Sequence, residues 1–123
     1  MVVNGIRGAT VISSNQSDAI LSGTRQLLQA ISAANPGLRP EDIASVFFTV
    51  TDDLNADYPA KAARQLGWTQ VPMLCAREIL VPGGLAGCLR VLILWNTDRL
   101  QTEVNHVYLG EAARLRPDIS GGK

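Results

Sequence analysis

Hydrophobic and polar positions change period several times along this chain, and each change marks an element. Residues 5–12, GIRGATVI, are rich in β-branched side chains and punctuated by glycine, which predicts a first strand. From Ser17 the period becomes helical: Ile20, Thr24, Leu27, Leu28, Ile31 and Ala34 fall on one stripe, with Ser17 as a candidate N-cap and Asp18 in the first turn. Asn35-Pro36-Gly37 stops that helix, and its outer face, with Arg25, Gln26 and Gln29, is ordinary solvated surface. Pro40-Glu41-Asp42 opens a short helical turn into residues 43–51, whose VFFTVT core is strongly β-forming and predicts a second strand. Residues 51–55 are loop by composition. Asp57 is placed to cap a second helix that begins near Pro59 and runs through Ala60, Ala62, Ala63 and Leu66 to Gly67.

The stretch 71–95, VPMLCAREILVPGGLAGCLRVLILW, reads as strand, loop, strand and organises the rest. Arg90 is followed without a break by Val91, Leu92, Ile93, Leu94 and Trp95, the pattern of a strand covered on both faces. A guanidinium entering such a strand is expensive to desolvate unless an anion meets it. That anion is either Glu78 or a ligand. Arg7 lies in the first strand in the same way, where it either snorkels from an edge or meets an anion of its own. Pro82-Gly83-Gly84 lacks the spacing of either phosphate-binding glycine motif and reads as a turn.

Asn96-Thr97-Asp98 is a turn, and residues 106–109 form a last short strand. His106 is the sole histidine and has no partner at catalytic or metal spacing, so it reads as structural or surface, with Tyr108 on the same face. Glu111-Ala112-Ala113 is a helical turn, and the tail 117–123 is expected to be mobile. The order β, α, β, α, β, β, β predicts one α/β (α+β) domain over 1–123, a ferredoxin-like mixed sheet packed with helices. Charge narrows the partners: eleven basic and eleven acidic residues cancel, so there is no long-range positive field to gather nucleic acid or anionic membrane. The N-terminus lacks the basic and apolar regions of a leader, and the uncharged stretch 79–89 is cut by Pro82, Gly83, Gly84 and Gly87, so no membrane span is expected. Cys75 and Cys88 lack metal or redox-motif spacing and read as free thiols in a reducing, cytoplasmic compartment.

One histidine and two cysteines assemble no convincing nucleophilic set or metal centre. The chain offers instead arginines in apolar settings (Arg7, Arg90), a carboxylate near a thiol in sequence (Glu78, Cys75) and a phenol (Tyr108). Such a set suits a small anion bearing hydroxyls. It also suits a reaction that needs no nucleophile, only one held conformer and positive charge where negative charge develops. Lys61 and Arg64 lie three apart on one face of the second helix, either as solvated surface or as cations for a ligand's carboxylates.

GIRGAT at 5–10, YPAKAARQLGW at 58–68, VPMLCAREI at 71–79, LRVLILWNTD at 89–98 and HVYLGEAARLRPD at 106–118 resemble, in order and in register, the monofunctional chorismate mutases of the trimeric α/β-barrel class. The resemblance implies a cofactor-free [3,3] rearrangement of chorismate to prephenate in the shikimate route to phenylalanine and tyrosine. It also implies a homotrimer, a pseudo-α/β-barrel with sites between subunits. On that basis Arg90 sits by the breaking ether bond, Glu78 accepts from the ring hydroxyl with Cys75 beside it, and Arg7 and Tyr108 hold a carboxylate. Tyr58, Lys61 and Arg64 approach from the adjacent subunit, and Leu115 and Arg116 close the mouth. The same resemblance adds Ala60, Met73, Leu74, Ala76 and Arg77 to the substrate-binding set, with no metal and no cofactor. Two positions depart from the pattern: Tyr58 stands where phenylalanine is expected, and Leu74 stands where a small hydroxyl residue precedes Cys75, which leaves contacts there to backbone N–H groups. Two other readings share the architecture: a trimeric imine or enamine deaminase of the Rid type, and a trimer that binds a metabolite without converting it.

Overall fold

The computed structural model describes residues 1–120. Strand β1 (Val2–Val11) leads into helix α1 (Ser17–Ala34), strand β2 (Ile43–Val50), helix α2 (Pro59–Gln65), and strands β3 (Met73–Arg77), β4 (Cys88–Thr97) and β5 (Val107–Tyr108). A 3-10 segment (Gly110–Leu115) and a turn of helix, α3 (Pro117–Ser120), follow. The order of elements is therefore the predicted one, with one five-stranded mixed sheet arranged β3-β2-β4-β1-β5. Central β4 runs antiparallel to both β1 and β2, while β3 and β5 pair in parallel at the edges. Thus β1-α1-β2 is a split unit with β4 inserted between its strands, and β2-α2-β3 connects neighbours.

Period-2 alternation assigns the two faces of the sheet. Ile6, Val46, Phe48, Leu89, Val91, Ile93 and Trp95 pack with Ile20, Leu27, Leu28 and Ile31 of α1 and with Ala60, Ala63 and Trp68 in one buried cluster. Gly8 marks how closely α1 approaches: a Cβ there would lie 2.7 Å from Ile31 Cδ1 and 3.1 Å from Val91 Cγ1. On the other face a smaller cluster of Ala9, Tyr108 and Ala112, with Val11, Ala113 and Leu115 against it, holds the C-terminal 3-10 segment over the end of β1. The rest of that face has no covering element among the described residues.

Several boundaries differ from expectation. β1 begins at Val2, because Val2 to Gly5 continue the ladder opposite Thr97 to Leu94, and β4 accordingly runs through the predicted turn to Thr97. Gln16, not Ser17, occupies the cap position of α1; the Ser17 hydroxyl donates instead to Asp57 Oδ2 at 2.5 Å. Tyr58 caps α2 in place of Asp57, whose Oδ1 accepts the Tyr58 N–H at 2.7 Å. β4 is covered by helices on one face only: Leu92 is 38 % exposed and Leu94 half-buried. Within the tail, Pro117–Ser120 is helical, and the remainder of the predicted mobile segment lies outside the described residues.

Candidate active site

Arg90 and Glu78 come together across the width of a strand. Thr49 on β2 lies opposite Arg90 on β4, and Ala76 on β3 lies opposite Thr49, so two strand spacings separate β3 from β4. The Glu78 N–H continues the ladder by donating to Val50 O at 2.8 Å, and from there the side chain spans β2. Arg90 Nη2 donates to Glu78 Oε1 at 3.0 Å and Nε lies 3.0 Å from Oε2, an ion pair through both oxygens that answers the charge placed in the strand. The Thr49 hydroxyl donates to the same Oε2. One of the five guanidinium N–H groups donates to Glu78, and Arg90 also lines the cleft beside it.

That cleft, about 350 Å³, is lined by Arg7, Phe47, Thr49, Glu78, Arg90, Leu92 and Tyr108. Arg7 projects from β1 onto the open face, and its guanidinium meets no carboxylate among the described residues. Its backbone N–H donates to His106 Nδ1 at 2.9 Å, a structural use of the histidine. Tyr108 is 6 % exposed and forms the floor beside Ala9 and Ala112. Leu115 lies just beyond, in a smaller recess shared with Glu78, Arg90, Ile79 and Val81. Cys88 is buried next to Arg90; burial outweighs the cation and pushes its thiol up to about 11, which leaves it neutral and unreactive.

A second cleft, about 360 Å³, lies at the free edge of β3 and is lined by Asp52, Asp57, Tyr58, Cys75, Ala76 and Arg77, among others. Asp57 joins the start of α2 to the start of α1: besides Ser17 and the Tyr58 N–H it faces Lys61 Nζ at 3.6 Å, and these hydrogen bonds and the ammonium hold its carboxyl below the usual range. Arg77 pairs with Asp52 at 3.0 Å.

The solved chorismate mutase of Clostridium thermocellum superposes with a TM-score of 0.86 at 46 % identity, covering 89 % of this chain and 97 % of that one. Residues 3–119 match the family described as chorismate mutase type I. The chain belongs to that family. Chorismate mutase AroH of Thermus thermophilus is 50 % identical over 122 residues, covering 99 % of this chain and all of the relative. Its counterpart in Bacillus subtilis is 44 % identical over 121 residues, covering 98 % and 94 %. Membership at this identity and coverage makes the chain an enzyme of the isomerase kind and disfavours the imine deaminase reading.

Against that family background, the structure divides the residues picked out from sequence. Arg7, Glu78, Arg90 and Tyr108 share the first cleft, with Leu115 at its margin. Tyr58, Cys75, Ala76 and Arg77 share the second. Cys75 is therefore not beside Glu78 within one chain: side chains alternate along β3, which sets it and Met73 on the helix side while Leu74 and Ala76 stand on the open face. Met73 packs against the main core, and Ala60 is buried there, so only its backbone can face a ligand. Lys61 and Arg64 are exposed on α2, Lys61 with Asp57 as its partner. Arg116 is forked by Asp118 at 3.0 and 2.8 Å, which raises its pKa and occupies it within the C-terminal segment. Sequence reasoning missed Phe47 and Thr49. Their signal was present as alternation within VFFTVT, but alternation alone does not say which set faces the helices.

Proposed function

We propose that the Arg90–Glu78 cleft of one copy and the Tyr58–Cys75 cleft of the next together form a site that rearranges chorismate to prephenate, in a homotrimer. The observation that carries this reading is the Arg90–Glu78 ion pair beside an Arg7 with no carboxylate partner among the described residues, in one cleft on the open face. Chorismate is a dianion with a ring hydroxyl and an ether oxygen. Its [3,3] shift breaks the ether C–O bond as a C–C bond forms, with no proton transfer and no covalent intermediate, so the protein's task is to hold one conformer and to stabilise the charge that grows on oxygen. Arg90 serves the ether oxygen with N–H groups not engaged by Glu78, in an orientation that Glu78 fixes. Glu78 accepts from the ring hydroxyl. Arg7, lacking a carboxylate of its own, takes one from the substrate, with Tyr108 alongside.

The assembly reading draws on what the single chain leaves unfinished. Phe47 and Leu92 are exposed on the open face, Leu74 is 65 % exposed, and β3 presents an unpaired edge. A neighbouring copy would cover these groups and bring Tyr58, Cys75 and Arg64 to the first cleft. Free Cys75 and Cys88 fit a reducing compartment such as the cytoplasm. The test is loss of chorismate absorbance with no added cofactor, with prephenate identified as product. Turnover absent from the folded protein would overturn the activity at this site. Mixing Arg90→Ala with Arg64→Ala chains should restore part of the activity, and no recovery on mixing would overturn the shared site.

A further inference from the structure

The geometry points to Thr49 as a positioning residue that sets the orientation in which the Glu78 carboxylate meets the substrate's ring hydroxyl. An ionised carboxylate offers about four acceptor directions, two on each oxygen. In Glu78, Oε2 accepts the Thr49 hydroxyl and lies 3.0 Å from Arg90 Nε within the ion pair, so that oxygen is held between the two side chains. Oε1 receives only Arg90 Nη2, also at 3.0 Å, which leaves one direction on that oxygen. Thr49 thereby restrains the rotation of the carboxylate about its last bond, on the wall of the cleft that Thr49, Glu78 and Arg90 all line.

Register explains why this falls to position 49. Glu78 leaves β3 and must pass over β2 to reach Arg90 on β4, and Thr49 is the β2 residue directly opposite Arg90. The residue beneath that span has to be small enough to let the carboxylate cross and able to donate from below. Its neighbour on the same face, Phe47, meets neither requirement. With valine in place of threonine the shape persists but the lower donor is lost, and the carboxylate is free to rock about the Arg90 ion pair.

The inference rests on the chorismate reading, and its test separates the two. Wild-type turnover checks the reading. Thr49→Val should then lower kcat/KM about 10-fold, the scale of one hydrogen bond to a charged group, and Thr49→Ser, which keeps the hydroxyl, should recover most of it. In a Glu78→Gln background, where the carboxylate is gone, Thr49→Val should change kcat/KM less than about 2-fold. A purely structural role would give equal losses in both backgrounds. Wild-type turnover with equal losses, or with no loss in Thr49→Val, overturns the assignment; if valine prevents folding, Thr49→Ala is carried through the same cycle.

Discussion

On the helix side of the sheet Ile6, Val46, Phe48, Val91, Ile93 and Trp95 are sealed from solvent, whereas one residue along the same strands Arg7, Phe47, Thr49, Arg90 and Leu92 remain partly open. Both sets are carried by one backbone and one ladder of hydrogen bonds. Because successive side chains point to opposite faces, the core can be packed to interior density without constraining what the other face presents. Stability and chemistry are thus interleaved in sequence and separate in space, and a substitution should disturb one far more than the other according to the parity of its position.

The largest effect expected on the open face is at Arg90. Arg90→Lys should reduce kcat about 10² to 10³-fold with little change in KM, because an ammonium cannot keep the ion pair with Glu78 while facing the ether oxygen; its thermal midpoint should stay close to wild type. Steady-state kinetics beside a melting curve checks both halves, and a matching loss of stability would break the contrast. On the helix face, Phe48→Ala should cost about 3–5 kcal/mol in denaturant unfolding, with turnover per folded molecule preserved. A milder probe is the buried thiol on the open-face side of β4, in the recess beside Arg90 and Leu115. Cys88 holds its proton to about 11 in the folded chain against an ordinary value near 9, so the unfolded chain gives up that proton first as pH rises. The contribution is whole below about pH 9 and is lost on the way to about pH 11, a fall of about 1 kcal/mol once solvent screening is allowed for. Cys88→Ala should flatten that part of the stability profile, as read by chemical denaturation across the range.

The order of elements was legible in the sequence because glycine, proline and changes of period punctuate it: Asn35-Pro36-Gly37 ends α1, and Pro59 opens α2, as expected. Arg90 with Glu78 was legible because a cation in an apolar strand demands an anion, and the ion pair supplies it. The run Val91 to Trp95 misled for a physical reason. Leu92 and Leu94 are apolar like their neighbours, and a single chain's pattern does not distinguish a face covered by its own helices from one they leave open. Cys75 and Glu78 were grouped by nearness in sequence, yet three residues along a strand is an odd step and sends the two side chains to opposite faces. The caps at Ser17 and Asp57 were misplaced because the Ser17 hydroxyl turns to Asp57 instead of its own helix, and Asp57 accepts the Tyr58 N–H one position ahead of α2.

β4 is hydrogen-bonded on both sides for most of its length, whereas β3 has a partner on one side only. Amide protons around Arg90 therefore exchange with solvent only through openings close to complete unfolding, while those around Cys75 are released by fraying of the outermost strand. The two clefts thus have unequal lifetimes within one molecule: the arginine persists as long as the fold does, and the thiol lies on the strand that opens first.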